Sequence, residues 1–285
     1  MKTITTLIFT ILFVGHGLAT EITVLNAGSK TGSFAQQSTA YADDLTQSGY
    51  DVTLDIPGNH CLAINKFNLI DGPVLMPWAS DYEAGGRMGE DCTTFSFNAS
   101  DIVRYNRTSI QACTLNSSKS VFDHGAGKIG VTTPKWLWQR TINIINHNFG
   151  TAHTQIDYNG SGDLRTALLN GEVDFAFLSP KHAKKVTDQG AICFYTFGDS
   201  MDSIPSIIDE VHVDDKKFMY LGYDQVWLAL NMTDSQKQEL KAELVKYHNT
   251  VGTATNNYSV QTIDWSIPSN MAKKQFETSV FSLME

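Results

Sequence analysis

The sequence is poor in positive charge, in metal-binding cysteine patterns and in long apolar runs. Its 285 residues carry 21 Lys and Arg against 30 Asp and Glu, a formal net charge of −9. That balance argues against a nucleic-acid or anionic-membrane partner, because both demand a basic face. A small anion stays possible, since clustered backbone N–H groups hold a carboxylate even in an acidic protein. None of the cysteines, Cys61, Cys92, Cys113 and Cys193, stands in C-x-x-C spacing, which removes the usual zinc frameworks. Beyond the N-terminus no segment approaches the roughly 20 apolar residues that span a bilayer. The G-x-x-x-x-G-K-[ST] spacing that cradles nucleotide phosphates is missing. So is the G-x-S-x-G of a hydrolase nucleophile: Ser161 has a glycine on each side, but at the wrong spacing. No internal repeat or low-complexity tract is found. The sequence calls for no metal and no cofactor.

A hydrolase needs a nucleophile with a base, and the histidines offer no such pairing. His60, His124, His147, His153 and His182 are scattered, and His147 and His153, straddling a helix end, read as surface residues. The carboxylate pairs Asp43-Asp44 and Asp214-Asp215 lie in polar runs and read as solvated. No enzyme reading gains support.

Several features are present instead. Hydrophobic residues make up 42% and charged residues 18% of the chain, the composition of a folded protein with length enough for two domains. Residues 1–19 read as a secretory leader: Lys2 supplies the charged start, TLIFTILFVG the apolar core and Gly17-Leu18-Ala19 the cleavage site, so the mature chain starts at Thr20 or close by. The apolar core is too short to span a membrane, and no Cys follows it for lipid attachment. An exported chain meets an oxidising compartment, where the cysteines can pair. Four cysteines allow three connectivities and the sequence does not choose among them; the preferred bridge is Cys61–Cys92, because both lie in the first half of the chain. The Asn-x-Ser/Thr triplets at Asn98, Asn106 and Asn159 read as chance in an Asn/Ser/Thr-rich sequence.

Along the chain, strands alternate with helices. Glu21–Leu25 is a short strand running into the loop Gly28-Ser29-Lys30-Thr31-Gly32-Ser33, and a helix over 33–45 turns Phe34, Ala42 and Leu45 inward. Such a loop aims backbone N–H groups at a ligand. Tyr50–Ile56 alternates as a strand, residues 60–70 suit a helix, and Val74–Trp78 is a buried strand. Ser80 and Asp81 follow its carboxyl end, the edge at which open α/β sheets bind ligands. Residues 83–101 read as irregular, Ser109–Thr114 as a strand and Lys119–His124 as a connector. A strand at Lys128–Val131 ends in Thr132-Thr133-Pro134 and precedes a helix over Trp136–Phe149. Trp78 and Trp136 lie beside these loops and are aromatic candidates for the site.

The segment Ile156–Pro180, IDYNGSGDLRTALLNGEVDFAFLSP, carries the most information. Ile156 and Tyr158 close a strand, and Ser161 or Asp163 caps a helix whose apolar stripe is Leu164, Ala167 and Leu168. Asn170-Gly171 ends that helix and Val173–Leu178 reads as a strand covered on both faces. The turn leaves the N–H groups of Gly160–Asp163 pointing above the sheet. Later, Ala191–Phe197 and a run within Phe218–Leu230 read as strands, and Asp234–His248 as an amphipathic helix.

This segment resembles the Y-K-G-x-G-P-A-x-x-D-L-x-G-G-Q-V-D-x-x-F signature of the solute receptors of tripartite tricarboxylate transporters, the Bug-type extracytoplasmic binding proteins. Tyr158, Gly160, Gly162, Leu168, Gly171, Val173, Asp174 and Phe177 match in order and spacing, whereas Asn159 and Asp163 replace the Lys and Pro of the pattern. Gly127-Lys128 and Gly130 match the G-K-x-x-x-G strand only in part. The first loop departs from the usual Pro-Gly-Gly-x-x-D, and the likeness is strong only across residues 125–180.

The resemblance implies an α/β, two-lobe type II periplasmic binding protein fold with two hinge-crossing strands. Residues 20–112 and 198–285 would form a discontinuous first lobe and residues 113–197 the second. It implies a periplasmic receptor, not an enzyme, that captures a small organic anion between the lobes and passes it to membrane transporter subunits, acting as a monomer with no nucleic-acid partner. The expected ligand contacts are Gly28, Ser29, Lys30, Thr31, Gly32 and Ser33; Ser80 and Asp81; Thr132, Thr133 and Lys135; Asn159, Gly160, Ser161, Gly162 and Asp163; and Ser179. Two alternatives stay open. The hydroxyls and Lys of the first loop also suit phosphate or another oxyanion, or the receptor takes an amino acid; and the same fold can carry an enzyme.

Overall fold

The computed structural model describes residues 20–89, 92, 94–123, 125–132, 135–198, 200–201, 204–207, 223–252 and 265–284. The leader, His124, Thr133 and Asp214-Asp215 lie outside the described residues.

Two five-stranded sheets organise the chain. The first contains β1 (Glu21–Leu25), β2 (Asp51–Asp55), β3 (Val74–Ala79), β4 (Ile102–Thr108) and β10 (Tyr223–Leu230), in the order β2-β1-β3-β10-β4. The second contains β5 (Ile110–Thr114), β6 (Lys128–Val131), β7 (Thr154–Asp157), β8 (Phe175–Leu178) and β9 (Ile192–Phe197), in the order β7-β6-β8-β5-β9. The two orders follow one plan. A central strand pairs in parallel with both neighbours, β1 with β2 and β3, and β6 with β7 and β8. An antiparallel strand then inserts between the third strand and the edge: β10 between β3 and β4, and β5 between β8 and β9. The chain leaves the first sheet at Ser109, between β4 and β5, and returns between β9 and β10. These are the two crossings the resemblance implies.

Helices cover both sheets: α1 (Ser33–Gln47), α2 (His60–Phe67), α3 (Ser80–Met88), α4 (Lys135–Phe149), α5 (Ser161–Leu169), α6 (Pro180–Thr187), α7 (Asp234–Tyr247) and α8 (Ser269–Met284). On one face of the first sheet, Ile22, Val24, Leu75 and Trp227 pack against Tyr41 and Leu45 of α1 and Leu240 and Leu244 of α7. Tyr41 meets the Trp227 ring edge-on at 4.6 Å. In the second lobe Leu164, Leu168, Val173, Leu178 and Val186 form a separate cluster under α5 and α6. Removing such side chains from water is worth ~1.5–3 kcal/mol each. At the end of the first sheet, Arg107 of β4 pairs at 2.9 Å with the buried Asp224 directly opposite on β10. Cys61–Cys92 ties α2 to the segment after α3, the bridge preferred from sequence, and Cys113–Cys193 joins β5 to β9.

Several expectations need correction. The segment 83–101 is not irregular throughout, because α3 runs to Met88 and ends at Gly89 in the left-handed region, φ 73°. Glycine accepts that conformation without strain. β4, which the sequence reading left unassigned, is an edge strand in which even the polar Arg104 and Asn106 are buried. His153 is buried rather than a surface residue, with Nε2 at 2.8 Å from the Val121 carbonyl. His147 is exposed. Helix α6 has no counterpart in the sequence reading, and Pro180 starts it from the first helical position.

Candidate interlobe ligand site

The connections after β1, β3, β6, β7 and β8, each running from a strand's carboxyl end into a helix, all open on one cleft between the lobes. The empty space of the cleft, open solvent included, is about 610 Å³. Gly28, Ser29, Gly32, Ser33, Asp81 and Gln225 line it from the first lobe, and Thr132, Asn159, Ser161 and Ser179 from the second. Phe34, Tyr82, Ile110, Trp138 and Phe177 supply its apolar wall.

The helix ends facing the cleft share an unusual feature. The residues that precede α1, α3, α5 and α6 are Gly32, Ala79, Gly160 and Ser179, and none makes a side-chain capping bond. Of the helices that send no residue to the cleft, α2 and α7 are capped. Asn59 Oδ1 accepts from Leu62 N–H of α2 at 2.9 Å, and Thr233 and Gln236 form a reciprocal box on α7. The first N–H groups of any helix lack intrahelical partners. Uncapped ends therefore leave donors and the positive end of the helix dipole directed into the cleft. Ser179 adds to this: its residue is 8% exposed, and its Oγ has no hydrogen-bond partner. A buried hydroxyl without a partner costs about 1–3 kcal/mol, a cost that a ligand acceptor would remove.

The first loop is braced from beneath. Buried Asn26 accepts from Gly28 N–H at 3.1 Å and donates to the Gly28 carbonyl at 2.8 Å. Close approach rather than backbone conformation explains its glycines. A β-carbon at Gly32 would meet Ser29 Oγ at 2.7 Å, and one at Gly28 would meet Phe34 Cβ at 2.9 Å.

The other sequence-predicted residues lie apart from the lining. Lys30 is exposed, its stem packed against Gly58. Thr31 lies over Gly160 and Gly162, which form the backbone of the second loop. Ser80 turns away: its Oγ accepts from Asp224 N–H at 3.0 Å and lies 3.0 Å from Ser279 Oγ, tying the end of β3 to β10 and α8. Lys135 is exposed and pairs with Asp157 at 3.3 Å. Asp163 is exposed in the first turn of α5.

The motif's Asp174 acts in the scaffold. Its carboxylate accepts from Lys128 N–H at 2.9 Å and from Lys119 Nζ at 3.0 Å, and its carbonyl accepts from Thr114 Oγ at 2.9 Å. The Lys128 hydrogen bond, helped by Lys119 and opposed by partial burial, holds its carboxyl below the usual range. Asp174 thus fastens β6 to the crossing strand β5.

The residues missed from sequence are mostly aromatic. Trp138, rather than Trp136, reaches the cleft, since two residues along a helix face nearly opposite ways. Gln225 had no local signal. It enters because β10 inserts beside β3 and β4, pairing Gln225 with Ala79 and Asn106, and its Oε1 accepts from Asn106 Nδ2 at 3.1 Å.

No protein-family model matches the sequence, and no curated protein matches it. Solved structures do match in fold. An adipate-bound protein of Rhodopseudomonas palustris is similar with a TM-score of 0.70 and 12% identity, covering 92% of this chain and 94% of its own. The malate-bound MatC of Rhodopseudomonas palustris is similar with a TM-score of 0.64 and 11% identity, covering 93% and 99%. A TctC solute-binding protein from Polaromonas is similar with a TM-score of 0.59 and 13% identity, covering 92% and 96%. The chain has the two-lobe α/β fold of these solved structures, a TctC solute-binding protein among them.

Proposed function

We propose that this protein is an extracytoplasmic receptor that captures a small organic acid in the interlobe cleft and delivers it to a membrane transporter. The observation that carries this reading is the convergence of uncapped helix ends on one cleft, with the buried Ser179 hydroxyl lacking a partner among them. Backbone donors held in this way replace the water around a carboxylate without any charged side chain. The fold neighbours whose bound ligands are malate and adipate support the same ligand class. Among the described residues the cleft lining offers serine and threonine hydroxyls, one carboxylate, Asp81, and no His or Lys. The packing of Lys30 outside the lining weakens the alternative of a phosphate receptor. Export through the 1–19 leader, docking on transporter subunits and a monomeric state belong to the same proposal, and N-terminal sequencing of exported protein should start at Thr20 or close by.

Calorimetry with a panel of carboxylates, malate and adipate included, against phosphate and sulfate tests the ligand class. Carboxylate binding in the micromolar range or tighter is expected. Binding of the inorganic oxyanions alone, or chemical change of a bound acid, would overturn it.

A further inference from the structure

Apart from the cleft, we propose that the first lobe carries a second site, for a small oxyanion, between β4, α7 and the start of α8, with Arg104 and Lys241 as its charged groups. A pocket of about 230 Å³, open solvent included, lies along this edge of the first sheet and shares no lining residue with the cleft. Arg104 enters it from β4 and Lys241 from α7, with Trp265 beside them. Ser269 and Ala272, in the first turn of α8, complete its wall. No Asp or Glu is among the described residues that line it.

The charge on Arg104 is what calls for an anion. The residue is only 3% exposed, yet its hydrogen bonds go to uncharged groups. Its Nη1 donates to Tyr41 Oη at 2.5 Å and to Gln37 Oε1 at 3.2 Å, and its Nε has no hydrogen-bond partner. Tyr41 is no counter-ion, because burial raises its pKa despite the guanidinium beside it. A buried cation is costly unless an anion accompanies it. Helix α7 supplies the contrast. Lys237, one turn before Lys241, pairs at 2.8 Å with Asp101, which is buried at the foot of β4. Lys241 and Arg104 have no such acid among the described residues, so two positive charges meet at one pocket uncompensated. A guanidinium with a spare donor and an ammonium group together suit the oxygens of a carboxylate or a phosphate. The N-terminal end of α8 adds positive potential on the same side.

The experiment reads the Nε–H signal of Arg104 by proton–nitrogen correlation NMR, assigned by its loss in Arg104→Lys. The full chain is titrated at constant ionic strength with phosphate, sulfate and acetate, each replacing chloride. A saturable shift of that signal is expected with at least one of them. A response to acetate marks a carboxylate site, and a response to phosphate or sulfate alone marks a site for inorganic oxyanions. Lys241→Gln keeps a good helix former on α7 and should weaken the binding by about fivefold. Gly162→Pro, which alters only the cleft, should leave the titration unchanged. No saturable shift with any of the three anions would overturn the inference, as would equal affinity in Lys241→Gln. Loss of the response in a folded Gly162→Pro protein would assign it to the cleft and overturn the second site. None of these results touches the receptor reading, which stands or falls on binding in the cleft. Where Arg104→Lys does not fold, the rise in melting temperature with the same anions, compared between wild type and Lys241→Gln, decides in the same way: a smaller rise in the variant supports the site and an equal one overturns it.

Discussion

Thr31 of the first loop rests on Gly160 of the second, joining the lobes at the rim of the cleft. A β-carbon at Gly160 would lie 2.5 Å from Thr31 Oγ1 and 3.0 Å from Ser29 Oγ. Gly160 has φ −168°, extended backbone open to any residue, so space is what demands a glycine there. Gly160→Ala should hold the loops apart and weaken ligand binding by roughly tenfold, the scale of a modest overpacking cost. Adding Thr31→Ala should restore part of the loss, because Oγ1 is then gone. Small-angle scattering with ligand should show a less compact Gly160→Ala protein. Full affinity and full compaction in that variant would disprove the contact's role in closure.

The start of α5 offers a test of backbone recognition. Gly162→Pro removes an N–H in the first helical turn, where the ring's φ fits. Gly162→Ala keeps the N–H and adds a β-carbon 3.3 Å from Thr31. Binding should be lost in the proline variant and kept within a few-fold in the alanine variant. Ser161→Ala should cost roughly 0.5–1.5 kcal/mol for a bond to a neutral partner and up to about 3 for a charged one. Equal affinities across the series, measured by calorimetry on folded protein, would take this turn out of the site.

Acid should destabilise the fold over a defined window. Burial, assisted by Lys185, Arg165 and Lys181, pushes His182 from 6.5 down to about 4. Burial and Arg104 do the same to His248, whose Nε2 lies 2.7 Å from Tyr41 Oη. In both cases the unfolded chain takes up a proton at a higher pH than the folded chain does. Stability should therefore fall as pH drops from about 6.5 and level off for these groups near 4. The depressed Asp174 carboxyl carries the loss to lower pH. Urea denaturation at pH 7.5, 5.5 and 4 measures the slope. His182→Leu should flatten it, since neither ring nitrogen of His182 has a hydrogen-bond partner to lose. An unaltered slope would show that His182 is not a source of it.

The two disulfides should differ in weight. Cys113–Cys193 closes a sequence separation of 80 residues and Cys61–Cys92 one of 31. Chain entropy assigns about 2–5 kcal/mol to such a bridge and nearly 1 kcal/mol more to the longer loop. Replacing each pair by serine and measuring chemical denaturation should therefore find the Cys113/Cys193 variant the less stable. The opposite order would mean that native-state packing around α2 outweighs loop closure.

Local chemistry made much of this protein readable in one dimension. The alternating and all-apolar runs of β1, β3 and β8 carry their own period, and the glycine turn between β7 and α5 is contained in a few consecutive residues. The loops with Ser29, Ser33, Thr132, Asn159 and Ser161 were found because a loop from a strand into a helix must face the sheet's carboxyl edge. Long-range partners were not readable. Ser80 has the same local setting as Asp81, yet one turns to Ser279 and Asp224 while the other lines the cleft. Gln225 reaches the site only because β10 crosses back between β3 and β4, a pairing set by hydrogen bonds over more than 100 residues of separation. Gly or Ala before a helix is legible as an end without a side-chain cap, but Ser179 has a capping side chain that goes unused and α5 starts after Gly160 rather than being capped by Ser161 or Asp163, which only the structure shows. The sequence by itself determined most strands and helices, with α3, α6 and β4 the exceptions, and the loops that can offer N–H groups. Only the tertiary structure decided which loops share a cleft and that a carboxylate stands in its wall, because side-chain burial is set by residues from both lobes at once.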